Sequence, residues 1–223
     1  MEPRYVRNIP ALTAEEGALL RKKRVLVVGC GGLGGHIIDQ LARIGVGFLR
    51  VVDGDVFEPS NLNRQLLSRI PLLGTSKAKA AADHVSEVNP DVSVEFVEDF
   101  MTEQNVQDLL EDCDVVLDAL DNIPSRRLLA AACKKAGIPY VYGAISGWIA
   151  QAGISMPGDD LIKKLFPEDI EIRDKSVLSF TPAMCASMQT ALGVQFLVGK
   201  PLKTGILYYF DLLNMEFETI PMV

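Results

Sequence analysis

The sequence predicts an α/β protein built on a doubly wound, Rossmann-like, mostly parallel sheet with a C-terminal antiparallel strand portion. Three observations carry this. A valine-rich run, RVLVV at 24–28, stands directly before a glycine-rich turn and a helical pattern. Short apolar runs then alternate with helix-length segments as far as residue 143, the pattern of strands joined by crossover helices. Beyond that point the alternation stops, and two strand-like runs separated by a short turn end in a hairpin pattern.

The elements follow in order. RVLVV is apolar on both faces, as a parallel strand covered by helices must be. In HIIDQLARIG, residues Ile37, Ile38, Leu41 and Ile44 recur at helical spacing, and Gly45 is a stop signal. FLRVVD completes a βαβ unit. A helix is expected over 77–88, a strand over 92–98, and a helix over 102–111 with Thr102 as its cap. A buried strand is expected at 114–119, a helix at 125–136 and a strand at 138–143. Residues 149–156 read as a strand, 157–180 largely as a long loop, and 183–197 as an apolar helix. Runs of that loop's length tend to be lids or partner-binding segments. Strands GILYYFDLL and EFETIPM turn around Asn214.

The 223 residues suffice for one sizeable α/β domain. Within it we expect an N-terminal helical arm (1–23), a nucleotide-binding half (24–143) and a second half for a partner (144–223). Net charge is −7 and no lysine- or arginine-rich run occurs, which argues against nucleic acid or an anionic membrane as partner. No segment approaches the roughly 18 apolar residues of a membrane span. MEPRYVRNIPALTAEE lacks a signal-peptide core, so a cytoplasmic protein is expected. The four cysteines form no CxxC pair and only His36 and His84 accompany them, so no zinc ligand set is visible.

Gly29, Gly31 and Gly34 form G-x-G-x-x-G between strand and helix, where backbone and helix N-terminus can receive phosphate. Asp53, at the end of the next strand and about 20 residues on, suits a ribose hydroxyl. A dehydrogenase fits these features equally well. SNLNRQ, residues 60–65, adds more. Arg64 offers a planar fork for phosphate oxygens, and Asn61 and Gln65 add neutral hydrogen-bonding groups. Lys77 in GTSK adds a point charge. Asp121 in LDALDN, past a strand's carboxyl end, offers hard oxygens to Mg²⁺. Together these suit a nucleoside triphosphate better than a nicotinamide cofactor.

GCGGLGG, DGDVFEPSNLNRQ, GTSK and LDALDN resemble the ThiF/MoeB/HesA adenylyltransferases, relatives of ubiquitin-activating enzymes, from RYVR to the last strand. The resemblance implies an enzyme that uses ATP and Mg²⁺ to adenylate the C-terminal carboxylate of a small ubiquitin-like sulfur carrier ending in Gly-Gly, in thiamine, molybdopterin or related sulfur assembly. Such a carboxylate is ionised at neutral pH, so positioning and charge neutralisation suffice. Carried onto matching positions, Gly31 and Gly32 approach the nucleotide and Asp53 holds the ribose. Asn61, Arg64 and Lys77 contact phosphates, and Asp121 binds Mg²⁺ with Asn122 beside it. Asp55, Ser60, Leu62, Asn63 and Gln65 complete the nucleotide-binding set. Arg7 of RYVR matches an arginine that reaches into a partner subunit's site, which implies a homodimer.

KKLFPEDIEIRDK resembles the family's crossover loop over the adenylate. Its charges Lys163, Lys164, Glu168, Asp169 and Glu171 either guide the carrier's tail or simply solvate the loop. Many relatives hold structural zinc on two CxxC pairs. Here Leu161 and Lys164 stand where the first would fall and the sequence reaches Val223 where the second would follow, so no zinc is expected. A rhodanese-like domain is likewise not expected, and sulfur would then come from another protein. Cys185 in TPAMCASMQTALG matches an apolar helix and is expected in the core. Trp148 is also expected in the core rather than along the carrier's tail. Three alternatives stay open. One is a threonylcarbamoyladenosine dehydratase-like enzyme acting on tRNA, which DFMTEQN resembles and the acidic charge disfavours. Another is a Rossmann oxidoreductase, which leaves Arg64, Lys77 and Asp121 without a task. The last is a binding-only relative.

Overall fold

In the computed structural model, described over residues 2–167 and 176–222, one sheet of eight strands runs in the order β3-β2-β1-β4-β5-β6-β7-β8. The strands are β1 (Arg24–Val28), β2 (Phe48–Val52), β3 (Ser93–Val97), β4 (Val115–Asp118), β5 (Tyr140–Ser146), β6 (Ile149–Ser155), β7 (Ile206–Asp211) and β8 (Glu216–Pro221). β1 to β5 pair in parallel, and β5 to β8 are antiparallel. The mixed sheet expected from the sequence is the one observed. The boundary expected between halves, at 143/144, falls inside β5, which belongs to both the parallel and antiparallel parts.

Helices cover both faces. α2 (Gly32–Ile44), α3 (Lys77–Val88) and α7 (Phe180–Leu197) pack on one side, and α4 (Val106–Leu110), α5 (Ile123–Ala136) and α6 (Leu161–Leu165) on the other. Alternate residues of the central strands feed the two cores. Val25, Val27, Leu49, Val51 and Leu117 point to the first, and Leu26, Val28, Val52 and Val116 to the second. That period of two is why RVLVV is apolar throughout. α1 (Ala14–Leu20) opens with a capping box in which Thr13 accepts from the Glu16 N–H and Glu16 from the Thr13 N–H. Among the described residues no helix is long and apolar enough to cross a membrane.

Several boundaries differ from expectation. α4 is one turn rather than the helix expected over 102–111, and Thr102 does not cap it. The Asn105 side chain instead accepts from the Thr102 N–H at 2.7 Å and donates to the Phe100 carbonyl, holding that stretch as a turn. α5 starts earlier than expected because Asn122 accepts from the Ser125 N–H at 2.9 Å and Pro124 fits the first turn. α7 likewise takes in Pro182 near its start. The stretch expected as loop from 157 contains α6, whose Leu161 and Ile162 are buried in the second core.

Chain order reverses between β1 and β4: β2 and β3 extend the sheet one way, β4 and β5 the other. Val28 pairs with both Val52 and Asp118, so three strands end level there. Ligands of such folds bind in the crevice beyond these carboxyl ends.

Candidate functional site

Four glycines meet at this crevice for two different reasons. Gly29 has a φ of 99°, and a Cβ there would sit 2.5 Å from the Ala119 carbonyl oxygen. A Cβ on Gly34 would lie 1.8 Å from the Gly29 carbonyl oxygen. Close packing of loop, helix and β4 demands glycine at both. A Cβ on Gly32 would meet nothing nearer than Pro182 at 3.7 Å and Arg64 at 3.9 Å, and one on Gly31 would lie 3.3 Å from the Gln65 amide. Packing therefore does not explain Gly32. No side chain caps the α2 N-terminus that starts there, which leaves N–H donors and the positive end of the helix dipole for an anion.

Asp53 follows β2 and faces this turn. Its carboxylate accepts from the Cys30 N–H at 2.7 Å and the Asp55 N–H at 2.8 Å. Burial raises its pKa, outweighing those two donors and the nearby Lys77 charge. Residues 55–57 run beside 75–77, with Phe57 N–H bonded to the Thr75 carbonyl and Lys77 N–H to the Asp55 carbonyl, both at 3.0 Å. This carries Lys77, the first residue of α3 and buried, to the Asp55 carboxylate at 3.0 Å. The acid at the strand end and the lysine from the next helix thus share one cluster.

SNLNRQ closes over the glycine turn. Arg64 is half-buried, with its stem beside Gly32 and its Nη1 donating to the Ser60 carbonyl and Asn63 Oδ1, both at 2.9 Å. Gln65 is buried against Gly31, and its Oε1 has no hydrogen-bond partner among the described residues. Asn61 is buried, with the oxygen of its amide engaged locally. Its Oδ1 accepts from the Glu58 N–H at 2.9 Å to close its own turn, leaving its amide nitrogen only a 3.5 Å contact with Ser60. Ser60, Leu62 and Asn63 are exposed, and Asn63 Nδ2 donates to the Val177 carbonyl at 3.3 Å.

Asp121 lies exposed beyond β4, accepting from Asn122 Nδ2 at 3.3 Å, while Asn122 Oδ1 accepts from the Ser125 N–H and caps α5. Beneath them is a buried network that sequence reasoning missed. Arg126 pairs with Asp118 at 2.9 Å, and Tyr140 donates to the same carboxylate. Burial opposes the charge on Arg126, but Asp118 outweighs it and holds the guanidinium pKa above its ordinary value. The only signal was a second acid in the apolar run DVVLDA. Among the described residues no group of three His, Cys, Asp or Glu is placed to hold a metal ion. Asp121 thus suits a Mg²⁺ held mainly by phosphates and water with one protein carboxylate, and does not suit a metal caged by protein alone.

The remaining expected residues lie apart. Arg7 is exposed in the last turn of a 3₁₀ helix, Pro3–Asn8, anchored by Tyr5, whose hydroxyl accepts from Asn89 at 2.8 Å. Cys185 is in the core as expected, its thiol donating to the Gln151 carbonyl at 3.1 Å and pushed up to about 12 by burial. Trp148 is not in the core. It is 42% exposed on the β5–β6 turn, where Gly147 has a φ of 53°, and packs on Phe180 with ring centroids 5.0 Å apart. Of the crossover-loop charges, Glu168, Asp169 and Glu171 lie outside the described residues. α6 is held without cysteines: Lys164 donates to the Met222 carbonyl, Arg127 to those of Phe166 and Pro167, and Lys134 pairs with Asp160. A cavity of about 610 Å³ lies between α5 and α6, away from the glycine turn.

The profile of the ThiF family matches residues 5–223. The chain is 41% identical over 228 residues to the SAMP-activating enzyme E1 of Haloferax volcanii, covering 98% of this chain and 84% of that one. It is 33% identical to the sulfur carrier protein adenylyltransferase of Thermus thermophilus, covering 97% of this chain and 86% of that protein. It is 34% identical to the probable adenylyltransferase/sulfurtransferase MoeZ of Mycobacterium tuberculosis, covering 97% of this chain but only 59% of MoeZ. In fold it is similar to Escherichia coli MccB solved with ATP, with a TM-score of 0.85 at 20% identity over 100% of this chain and 71% of the other.

Proposed function

Because the chain belongs to the ThiF family, we propose that it is an ATP-dependent adenylyltransferase acting on the C-terminal glycine carboxylate of a small ubiquitin-like sulfur carrier. The carboxylate oxygen attacks the α-phosphorus of ATP, an O–P bond forms, the bond to the β-phosphate oxygen breaks, and pyrophosphate leaves with the electron pair. The product is an acyl-adenylate. No proton moves in this step, since the attacking carboxylate is already ionised.

The observation that carries the reading is the cluster of Gly32, Asp53, Lys77 and Arg64 around one crevice, with a glycine that packing does not require. Gly31 and Gly32 let backbone donors approach the phosphates, and Asp53 keeps lone pairs for ribose hydroxyls. Lys77 and Arg64 neutralise charge gathering on the leaving pyrophosphate. Mg²⁺, held by Asp121 and the phosphates, supplies further charge neutralisation when bound. Gln65, with its free buried oxygen, and Asn63 line the pocket, and Asp55 holds Lys77 in place. Asn122 sets the start of α5, and Asn61 shapes the turn with its Oδ1 while its Nδ2 remains available to donate to phosphate. In a cytoplasmic homodimer, Arg7 of each subunit would complete its partner's site.

The reading is tested by incubating the protein with ATP, Mg²⁺ and a Gly-Gly-terminated carrier and weighing the intact carrier. A mass gain equal to one adenylyl group, absent when the last glycine is deleted, is the expected result. An unmodified carrier across a panel of Gly-Gly-terminated carriers, despite tight ATP binding, would point to a binding-only relative.

A further inference from the structure

The buried ion pair of Asp118 and Arg126 makes no hydrogen bond, among the described residues, to the glycine turn or the SNLNRQ side chains. Burying two charges is costly unless geometry and further hydrogen bonds compensate, and well-packed apolar residues often hold a core at least as well. Here the compensating bonds converge on the segment before Asp121. Arg126 Nη1 donates to Asp118 Oδ2 at 2.9 Å and to the Gly143 carbonyl at 2.6 Å, while Nη2 donates to the Leu120 carbonyl. Asp118 Oδ1 accepts from the Leu120 N–H at 2.8 Å. The Tyr140 hydroxyl donates to Asp118 Oδ2, and Gln189 Nε2 to the Asp118 carbonyl at 2.7 Å.

Both backbone groups of Leu120 are thus held by the pair. Ala119 before it is bonded to the Val28 carbonyl at 2.9 Å and packs against Gly29. Asp121, the next residue, is exposed, and its carboxylate accepts from the Asn122 amide at 3.3 Å. Its place at the crevice is fixed from below, through Leu120.

We infer that Asp118, Arg126 and Tyr140 are positioning residues for adenylation: the planar fork of Arg126, braced by Asp118 and Tyr140, clamps Leu120 and so holds the Asp121 carboxylate where it would meet the Mg²⁺ of Mg·ATP. The inference rests on the reading of Asp121 as the Mg²⁺ ligand. A lysine at 126 keeps the buried charge but cannot reach Asp118, Gly143 and Leu120 together.

The test is Mn²⁺ binding to the full chain with a non-hydrolysable ATP analogue, read from the loss of the free-ion electron paramagnetic resonance signal. It is paired with Mg²⁺ titrations of ATP–pyrophosphate exchange. Arg126→Lys is expected to raise the Mn²⁺ concentration for half-saturation about tenfold, the scale of a lost partner behind a metal ligand. The Mg²⁺ midpoint of exchange should move equally, with the carrier's KM unchanged. A folded Arg126→Lys protein with both midpoints in place, and only a lower yield of active protein, overturns the inference and leaves the Asp121 reading intact. An Asp121→Ala variant with an unmoved midpoint overturns both. Should Arg126→Lys fail to fold, Tyr140→Phe takes its place: a smaller shift in the same direction supports the inference, and an unmoved midpoint sinks it.

Discussion

Replacing Gly32 by alanine separates what the fold needs from what a ligand needs. Gly32 is the first residue of α2, and a Cβ there would touch only Pro182 and Arg64, at ordinary contact distances of 3.7 and 3.9 Å. Alanine is the better helix former, so Gly32→Ala should leave stability unchanged or raise it by up to about 0.5–1 kcal/mol. The added methyl projects into the crevice where the phosphates would lie and separates them from the loop's donors. Losing one hydrogen bond to a charged group costs about 1.5–3 kcal/mol. That corresponds to ATP binding weakened roughly 10- to 100-fold. Gly34→Ala is the contrast, because its Cβ would lie 1.8 Å from the Gly29 oxygen. It should destabilise by about 1–3 kcal/mol or more, as overpacking does. Calorimetric titration with Mg·ATP and thermal unfolding of both variants provide the assay. A Gly32→Ala protein that binds ATP like the wild type would remove the glycine turn from the nucleotide site.

Other expectations follow from the same geometry. Lys77→Ala should lower ATP–pyrophosphate exchange by about 10²–10³-fold, the scale for one preorganised charge-stabilising group. It should cost less than about 1 kcal/mol of stability through the Asp55 pair, whose carboxylate is largely exposed; an exchange rate within a factor of a few of wild type would take Lys77 out of the phosphate site. All four cysteines are buried, and burial pushes Cys133 and Cys185 up to about 12. The native protein should therefore resist iodoacetamide at pH 8 and react at four thiols once unfolded, with Cys185→Ala retaining exchange activity. Asp39 is partly buried, which raises its pKa, but bonds from His84 and Arg43 outweigh that and hold it below the usual carboxylate value. A depressed carboxylate stabilises above its unfolded pKa of about 3.9 and loses that contribution as pH falls through the folded value. The stability gap between wild type and Asp39→Asn, followed by thermal unfolding from pH 7 to 3, should close at the acid end; a constant gap would contradict the assignment.

What was legible in the sequence was what local pattern dictates. RVLVV and the glycine turn announce a strand and a helix start within a dozen residues, and the final hairpin shows in two apolar runs about a turn. α4 and α6 span five residues each, too short for a helical period to register. The site divided in the same way. Asp53, Arg64 and Lys77 meet at the crevice because the βαβ connection brings them there. The bond that Asn61 Oδ1 accepts from the Glu58 N–H was not legible, because a side-chain amide can close its own turn with one end and leave the other for a ligand. Trp148 sits in an apolar stretch, yet the left-handed Gly147 turns it outward. The Asp118–Arg126–Tyr140 network draws on β4, α5 and β5, so no sequence spacing reveals it.

Adenylation of a carrier's terminal carboxylate is read out by ATP–pyrophosphate exchange in the presence of Mg²⁺ and Gly-Gly-terminated carriers. Exchange should depend on a carrier with a free Gly-Gly end and disappear in Asp121→Ala and Arg64→Ala. Exchange that persists in those two variants, or that proceeds equally with carriers lacking the terminal glycine, would contradict it.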